Sequence, residues 1–313
     1  MVNRVILALC LMASPAFSDP IVLAWPIECI LNETCFIQQY MDVDDTDGVR
    51  DFMGGAVTYD GHKGTDIRLK SRKAMQDGVN VLAASAGQVK GLRDGMVDRL
   101  VRTDADRVAI KGKDCGNGVL IAHLGGWETQ YCHMKQGSIA VVKGQMVQAG
   151  AVLGQVGLSG RTQFPHVHIA VRKDGQKVDP FALDNPLWQD GMVYQPTQII
   201  NLGLADGAVK MNDIAMDKFQ GFTPGKNAPA LVAYVRAINL VKGDQIRLIF
   251  TGPAGQIVAK VYDPVDRAKA QQMYFGGKKR PSGGWPVGVY RVEVQVLRGG
   301  VVLDSERLEK TAK

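Results

Sequence analysis

The five histidines of this chain all lie between residues 62 and 168. Clustering of this kind is a chemical signal, because imidazole binds metals and transfers protons near neutral pH. His166 and His168 alternate with Val167 and Ile169 in the stretch FPHVHIAV. Alternate residues of a β-strand share a face, so the pattern predicts two imidazoles on one side and two apolar side chains in a core. Such a pair could serve one metal ion or its bound water.

A second chemical signal is the stretch YDGHKGTDIRL, which places His62 four residues before Asp66 with Gly64 between them. If the stretch is extended, these three residues face the same way, and Gly64 leaves room for two ligands to converge. A helix is disfavoured, because glycine is a poor helix former and Thr65 and Ile67 prefer strands.

Together these residues offer a metal-ligand set. His62, Asp66 and one histidine of the later pair would supply two nitrogens and one oxygen. Three protein ligands with one open position are typical of a catalytic zinc site, and zinc accepts both imidazole and carboxylate. Such a site lowers the pKa of its bound water to about 7. The chemistry predicted is hydrolysis of an amide or ester.

Three segments, GHKGTD, YCHM and PHVH, occur in this order and carry a family resemblance. They resemble the lysostaphin-type zinc metallopeptidases, the LytM or M23 family of peptidoglycan endopeptidases. The connecting stretches VLAASAGQVKG and GNGVLIAHLGGWETQYCHM are also similar to that family. The resemblance covers about residues 51–182 and implies an antiparallel sheet domain.

The resemblance implies a role for each site residue. His62, Asp66 and His168 would be the zinc ligands, with Zn²⁺ as the cofactor. His133 and His166 would be catalytic histidines outside the ligand set, which orient the water, accept its proton and stabilise the oxyanion. The implied substrates are the stem peptides or cross-links of peptidoglycan.

Three further expectations concern the segments around these motifs. If TQYCHM is a strand, Tyr131 and His133 share one face and Cys132 lies on the other. His123, in LIAHLGG, is expected to be structural. The charged segment 91–114 is longer than a hairpin needs, and it is expected to wall the groove or select substrate.

The first 18 residues have the features of a secretory signal peptide. Arg4 is followed by an apolar run and then by small residues, which predicts cleavage after Ser18. The mature chain is therefore expected to be exported, to the periplasm or the extracellular space. Cleavage would also remove Cys10.

Four cysteines would remain after cleavage, an even number that suggests disulfides in an exported protein. Four cysteines allow three pairings. Closeness in sequence favours Cys29 with Cys35 and Cys115 with Cys132, and free buried thiols are the alternative.

Short apolar runs separated by glycine-containing turns predict an all-β fold. The last strands fit a small β-sandwich, with an immunoglobulin-like arrangement expected. The expected domains are a signal peptide (1–18), an N-terminal lead-in (19–50), an M23-like zinc peptidase domain (51–182), a connector (183–225) and a C-terminal β-sandwich domain (226–313).

Charge and composition limit the class of partner. The net charge of +6 is spread along 313 residues, with no phosphate-cradling motif. Nucleic acid is therefore not an expected partner, and the mild excess favours approach to an anionic wall. No mature segment is apolar and long enough for a membrane span.

Three functions fit these observations. The first is an active zinc endopeptidase that acts on peptidoglycan. The second is a catalytically inactive LytM-like module that binds or activates other cell-wall hydrolases, and such a module would be expected to lack some of the five site residues. The third is an exported zinc hydrolase of proteins or small peptides. The C-terminal domain is expected to bind a protein partner or the wall, or to shape the groove.

Overall fold

The computed structural model describes residues 21–312, which form antiparallel β-sheets with three short α-helices. The predicted signal peptide, 1–18, lies outside the described residues. The all-β prediction is confirmed. Among residues 21–312, no helix exceeds six residues, so none has the length to cross a membrane.

An N-terminal unit contains ten strands, two α-helices and a short 3-10 helix. They are β1 (Cys35–Gln39), β2 (Thr65–Leu69), α1 (Arg72–Asp77), β3 (Asn80–Leu82), β4 (Gly87–Arg93), α2 (Asp104–Ala109), β5 (Asn117–Ala122), the 3-10 helix (Leu124–Gly126), β6 (Trp127–Met134), β7 (Met146–Val147), β8 (Val152–Gln155), β9 (His166–Lys173) and β10 (Gln176–Val178). The main sheet has the order β1-β2-β9-β6-β5-β4-β7, with β10 beside β9, and β3 pairs with β8.

A C-terminal unit contains the other seven strands. The strands are β11 (Gln198–Ala205), β12 (Ala230–Leu240), β13 (Gln245–Gly252), β14 (Gly255–Val261), β15 (Lys269–Lys279), β16 (Gly288–Arg298) and β17 (Val301–Ala312). The third helix, α3 (Met211–Ala215), lies between β11 and β12. Two sheets, β11-β12-β15 and β14-β13-β16-β17, enclose one shared apolar core. This is a two-sheet sandwich; its immunoglobulin-like character stays a prediction.

The main sheet positions the chemistry through the alternation of β2 and β9. Asp66 is paired with His168, while Ile67 is paired with Val167. Ile67, Val167 and Ile169 are fully buried in the core, so the polar partners occupy the opposite face. The prediction that Val167 and Ile169 enter a core is confirmed.

Strands also occur in the segments expected to be lead-in and connector. β1, within 19–50, pairs with β2 at the edge of the main sheet. β11, within 183–225, pairs with β12 in the sandwich. Each unit thus begins with a strand that lies outside its expected limits, and the domain limits stay a prediction.

The two units pack directly on one another. Phe36 of β1 forms a buried apolar cluster with Ile200 and Ile238 of the sandwich. Beside it, Gln38 donates hydrogen bonds from Nε2 to the Asn239 Oδ1 (2.8 Å) and to a sandwich carbonyl. The sandwich is therefore fixed against the strand that neighbours the site.

Candidate metal centre

Three side chains predicted as ligands converge at one point of the main sheet. The Asp66 Oδ1 lies 3.1 Å from the His62 Nε2 and 2.8 Å from the His168 Nδ1, and the two nitrogens are 3.2 Å apart. His62 and Asp66 are buried and His168 is partly buried. His168, which is 106 positions from His62 and 102 from Asp66 in the chain, thus meets both residues around a single space.

The donor set fits a divalent cation. The His62 Nδ1 lies 2.6 Å from the Tyr40 carbonyl oxygen. Because that oxygen can only accept, Nδ1 carries the hydrogen, which leaves the Nε2 lone pair available to a metal ion. Metal-binding histidines commonly make this second hydrogen bond. Zinc ligands at about 2.0–2.1 Å in a tetrahedron are about 3.3 Å apart, close to the separations here.

Electrostatics keep Asp66 ionised. Burial by itself raises the pKa of this carboxyl, but its electrostatic interactions with the imidazoles of His62 and His166 and its hydrogen bond with His168 outweigh this effect. The pKa of Asp66 is lowered well below its usual range as a result. A carboxylate is the form that binds a metal.

His166 lies on the same face of β9 as His168 and close to the ligands. Its Nδ1 is 2.9 Å from the Phe164 carbonyl oxygen, and its Nε2 is 3.6 Å from the Asp66 Oδ1. Burial lowers the pKa of His166 although the charge of Asp66 opposes this. The neutral ring donates through Nδ1 and leaves Nε2 as a proton acceptor.

His133 lies beside His166, with 4.5 Å between the ring centroids. Its Nδ1 is 2.8 Å from the Ser159 carbonyl oxygen. Burial, followed by the charges of His166 and His168, lowers the pKa of His133 well below its ordinary value. The structure therefore brings all five predicted site residues together.

The backbone of His133 adopts a left-handed conformation, with φ of 63°. Tyr131 is paired with Ile169 in the core, whereas His133 approaches His166 on the opposite face. The expectation that Tyr131 and His133 share one face is therefore wrong. A positive φ interrupts the strand alternation and turns the imidazole into the site, as strained backbone at functional positions often does.

The approach of His62 depends on Gly64. β2 begins at Thr65, so His62 lies in the preceding loop and not on an extended strand. A Cβ at Gly64 would lie 2.3 Å from the Ile169 carbonyl oxygen and 2.8 Å from the His168 Nε2. Only glycine allows the loop to come this close to β9.

A groove of about 270 Å³ adjoins the histidines. The charged segment 91–114 contributes Val101 and Arg107 to its wall, which agrees with the expected walling role. Sequence reasoning missed Gln38 and Gln39 of the lead-in and Ala270 of the sandwich. No local pattern marks these residues, since pairing of β1 with β2 brings the two glutamines to the groove and packing of the sandwich brings Ala270.

The remaining histidine and the cysteines lie around the site and not in it. His123 makes hydrogen bonds to the Ala86 carbonyl and the Thr129 hydroxyl, both at 2.8 Å, which is a structural role. The predicted disulfides are confirmed, joining Cys29 with Cys35 and Cys115 with Cys132.

Part of the chain is similar to known proteins. Residues 60–180 match the family model described as Peptidase family M23. The DD-carboxypeptidase/endopeptidase Mpg of Neisseria meningitidis is 42% identical over 89 residues, which are 28% of this chain and 20% of Mpg. The peptidoglycan DD-endopeptidase ShyB of Vibrio cholerae is 30% identical over 106 residues, 33% of this chain and 24% of ShyB.

The solved structures that resemble this chain include a putative peptidase M23 from Pseudomonas aeruginosa. It is 28% identical, with a TM-score of 0.28, over 38% of this chain and 41% of that one. The matched part of this chain spans about a fifth of the length of Mpg and about a quarter of the length of ShyB.

Proposed function

Because residues 60–180 form a domain of peptidase family M23, we propose that the chain is an exported, zinc-dependent endopeptidase that hydrolyses the peptide cross-links of peptidoglycan. The observation that carries the proposal is the convergence of His62, Asp66 and His168 within 3.2 Å of one another. Export rests on the expected signal peptide and would place the enzyme in the periplasm or outside the cell.

The residues of the site have separate tasks in this mechanism. His62, Asp66 and His168 would hold the zinc ion, with His62 fixed in orientation by the Tyr40 carbonyl. When bound there, zinc would supply Lewis-acid activation of a water molecule and of the scissile carbonyl. The buried ligands exclude bulk solvent from that side of the groove.

His166 and His133 would accept and donate the proton of the attacking water. Both are neutral rings whose Nδ1 donates to a carbonyl, so Nε2 of either ring can accept the proton of the attacking water. The protonated ring then returns that proton to the leaving amine, or donates a hydrogen bond to the developing oxyanion. One proton of the water thus ends on the leaving amine as the C–N bond breaks, and the hydroxyl group joins the carbonyl carbon to give a carboxylic acid, which then ionises.

The inactive-module alternative is not favoured by the site. A module that only binds other hydrolases has no need of these residues, yet all five are present and brought together. The third function, a hydrolase of other peptides, shares the mechanism and differs only in substrate.

The test is digestion of isolated peptidoglycan by the mature protein, with mass analysis of the released peptides and measurement of bound zinc. Wild type should release fragments cut within cross-links and carry one zinc ion. His168→Ala should lose both zinc and activity, whereas the control His123→Ala should keep both. Stoichiometric zinc with no cleavage of peptidoglycan or its fragments would refute the proposal.

A further inference from the structure

A second cavity, also about 270 Å³, lies between the two units beside the groove. Four arginines line it: Arg68, Arg72, Arg102 and Arg236. Among the described residues, no aspartate or glutamate lines it. Arg68 and Arg72 come from the N-terminal unit and Arg236 from β12, so packing of the sandwich completes the cavity.

Arg68 is a buried charge with incomplete pairing. Only 2% of it is exposed, and its guanidinium donates to the neutral side-chain oxygens of Gln38 and Gln271. Its Nε has no hydrogen-bond partner in the described part of the chain. A buried charge without a charged partner is costly, so an anion in the cavity would supply this guanidinium with a missing interaction.

Arg236 is buried in the same way, with 3% exposed. Its hydrogen bonds go to neutral oxygens, the Asn201 Oδ1 at 2.8 Å and the Lys70 carbonyl. Asp217 is close enough to oppose the effect of burial, yet burial still lowers the pKa of Arg236 to about 10. Asp217 itself accepts a hydrogen bond from the Ser71 hydroxyl.

The other two arginines are more accessible. Arg72, on α1, is partly buried and donates to the Asn212 side chain, and Arg102 is exposed. A guanidinium presents two parallel N–H groups that match a carboxylate. Arg72 and Arg102 can therefore close on a ligand that the buried pair attracts.

Phe164 joins this cavity to the catalytic histidines. The Arg68 guanidinium lies 4.6 Å from the centroid of the Phe164 ring, whose other neighbour, the His166 ring, is 4.5 Å away. Gln163 and Phe164 line both the groove and the arginine-lined cavity. About three residues of extended peptide would reach from the His166 ring past Phe164 to the Arg68 guanidinium, since each residue spans ~3.3–3.6 Å.

We infer that the arginine-lined cavity binds a carboxylate of the peptide substrate within about three residues of the scissile bond. The inference rests on the proposed function, because a peptide in the groove is the occupant that reaches the cavity. The carboxylate is either the free C-terminus of the peptide or an acidic side chain. The cavity thereby makes the enzyme selective for anionic peptides.

The first test uses amidated peptides that carry a single glutamate or glutamine at each of three positions on either side of the scissile bond, together with their free-acid forms. One position, or the free acid, should raise kcat/KM about tenfold over its neutral counterpart. In the double variant Arg72→Gln/Arg102→Gln the ratio of kcat/KM between the acidic peptide and its neutral counterpart should fall to twofold or less.

Lys73→Gln is the matched control, because it removes one charge from the same helix outside the cavity. It should keep the full gain. Equal cleavage of acidic and neutral peptides by wild type, or a gain that persists in the double variant, would overturn the inference. Cleavage of neither peptide would instead count against the proposed function.

A binding measurement distinguishes failure of the carboxylate assignment from failure of the proposed peptidase function. Calorimetry on the zinc-free protein should show that a short product peptide binds at least about tenfold more tightly as the acid than as the amide. The double variant should lose that difference. Equal affinity of acid and amide, or displacement of the acid by inorganic phosphate at equal concentration, would overturn the assignment to a carboxylate.

Discussion

Backbone carbonyls orient three of the five site imidazoles. Each ring donates through Nδ1, and the pairs are His62 with Tyr40, His133 with Ser159 and His166 with Phe164. This fixes the tautomer, so that every Nε2 is an acceptor. At the residue scale, the proposed roles separate one ligand ring, His62, from two rings that would exchange protons.

His166→Ala tests that separation. Its ring lies outside the ligand set, so the variant should keep most of its zinc and lose turnover by about 10²–10⁴-fold, the usual contribution of a general base. Bound zinc and kcat on a peptide substrate measure the two effects. Zinc loss as complete as in His168→Ala would show that His166 is a ligand.

Asp179 gives a pH-dependent prediction away from the site. It is buried; its Oδ1 accepts from the Phe181 N–H, and its Oδ2 has no partner among the described residues. Burial raises the pKa of Asp179 to about 6. Since the unfolded value is about 3.9, the stability that this carboxyl contributes below pH 4 is lost as the pH rises through about 6.

Asp179→Asn should remove that dependence. We expect the variant to gain about 2 kcal/mol relative to wild type between pH 4 and pH 8. Denaturant unfolding at the two pH values measures it. A free-energy difference between variant and wild type that does not change with pH would contradict the assignment.

At the scale of elements, β6 carries His133 into the site and the Cys115–Cys132 disulfide holds its end. The His133 N–H donates to the Cys115 carbonyl at 2.8 Å, which links the left-handed residue to the bridge. Cys132 of β6 is paired with His168 of the neighbouring strand β9. The bridge thus constrains the strand at the point where its alternation breaks.

Cys115→Ser/Cys132→Ser should lower both stability and turnover. The bridge closes a loop of 17 residues, for which the chain-entropy model gives about 3 kcal/mol. Cys29→Ser/Cys35→Ser is the control: its six-residue loop predicts a loss of about 2 kcal/mol with turnover retained. Chemical unfolding and kcat measure both pairs. Full activity of the Cys115→Ser/Cys132→Ser variant would remove the role in positioning His133.

At the scale of the whole molecule, the sandwich is part of the groove. It contributes Ala270 to the groove wall and Arg236 to the arginine-lined cavity. The buried cluster of Phe36, Ile200 and Ile238 holds it against β1. Of the three roles expected for the C-terminal domain, shaping the groove is the one that these contacts support.

Ile200→Ala should weaken this packing. Truncation of a buried isoleucine costs about 2–5 kcal/mol, and the loss should raise KM more than it lowers kcat, because the catalytic residues belong to the other unit. Thermal unfolding and peptide kinetics measure the two effects. A normal KM in a destabilised variant would show that the groove forms without the sandwich.

Local sequence determined the parts of this protein that depend on spacing. The alternation around His166 and His168 predicted their shared face and the buried Val167 and Ile169, because strand geometry has a period of two. The motifs predicted the M23 resemblance, which the family model confirms over residues 60–180. Short separations predicted both disulfides.

Tertiary structure alone decided the rest. The register of β2 against β9 sets Asp66 beside His168, a positive φ turns His133 out of its strand pattern, and packing of two units assembles the arginine-lined cavity. None of these has a local signal, because each depends on contacts between segments far apart in the chain. Spacing fixes which side chains share a strand face, whereas only packing fixes which faces meet.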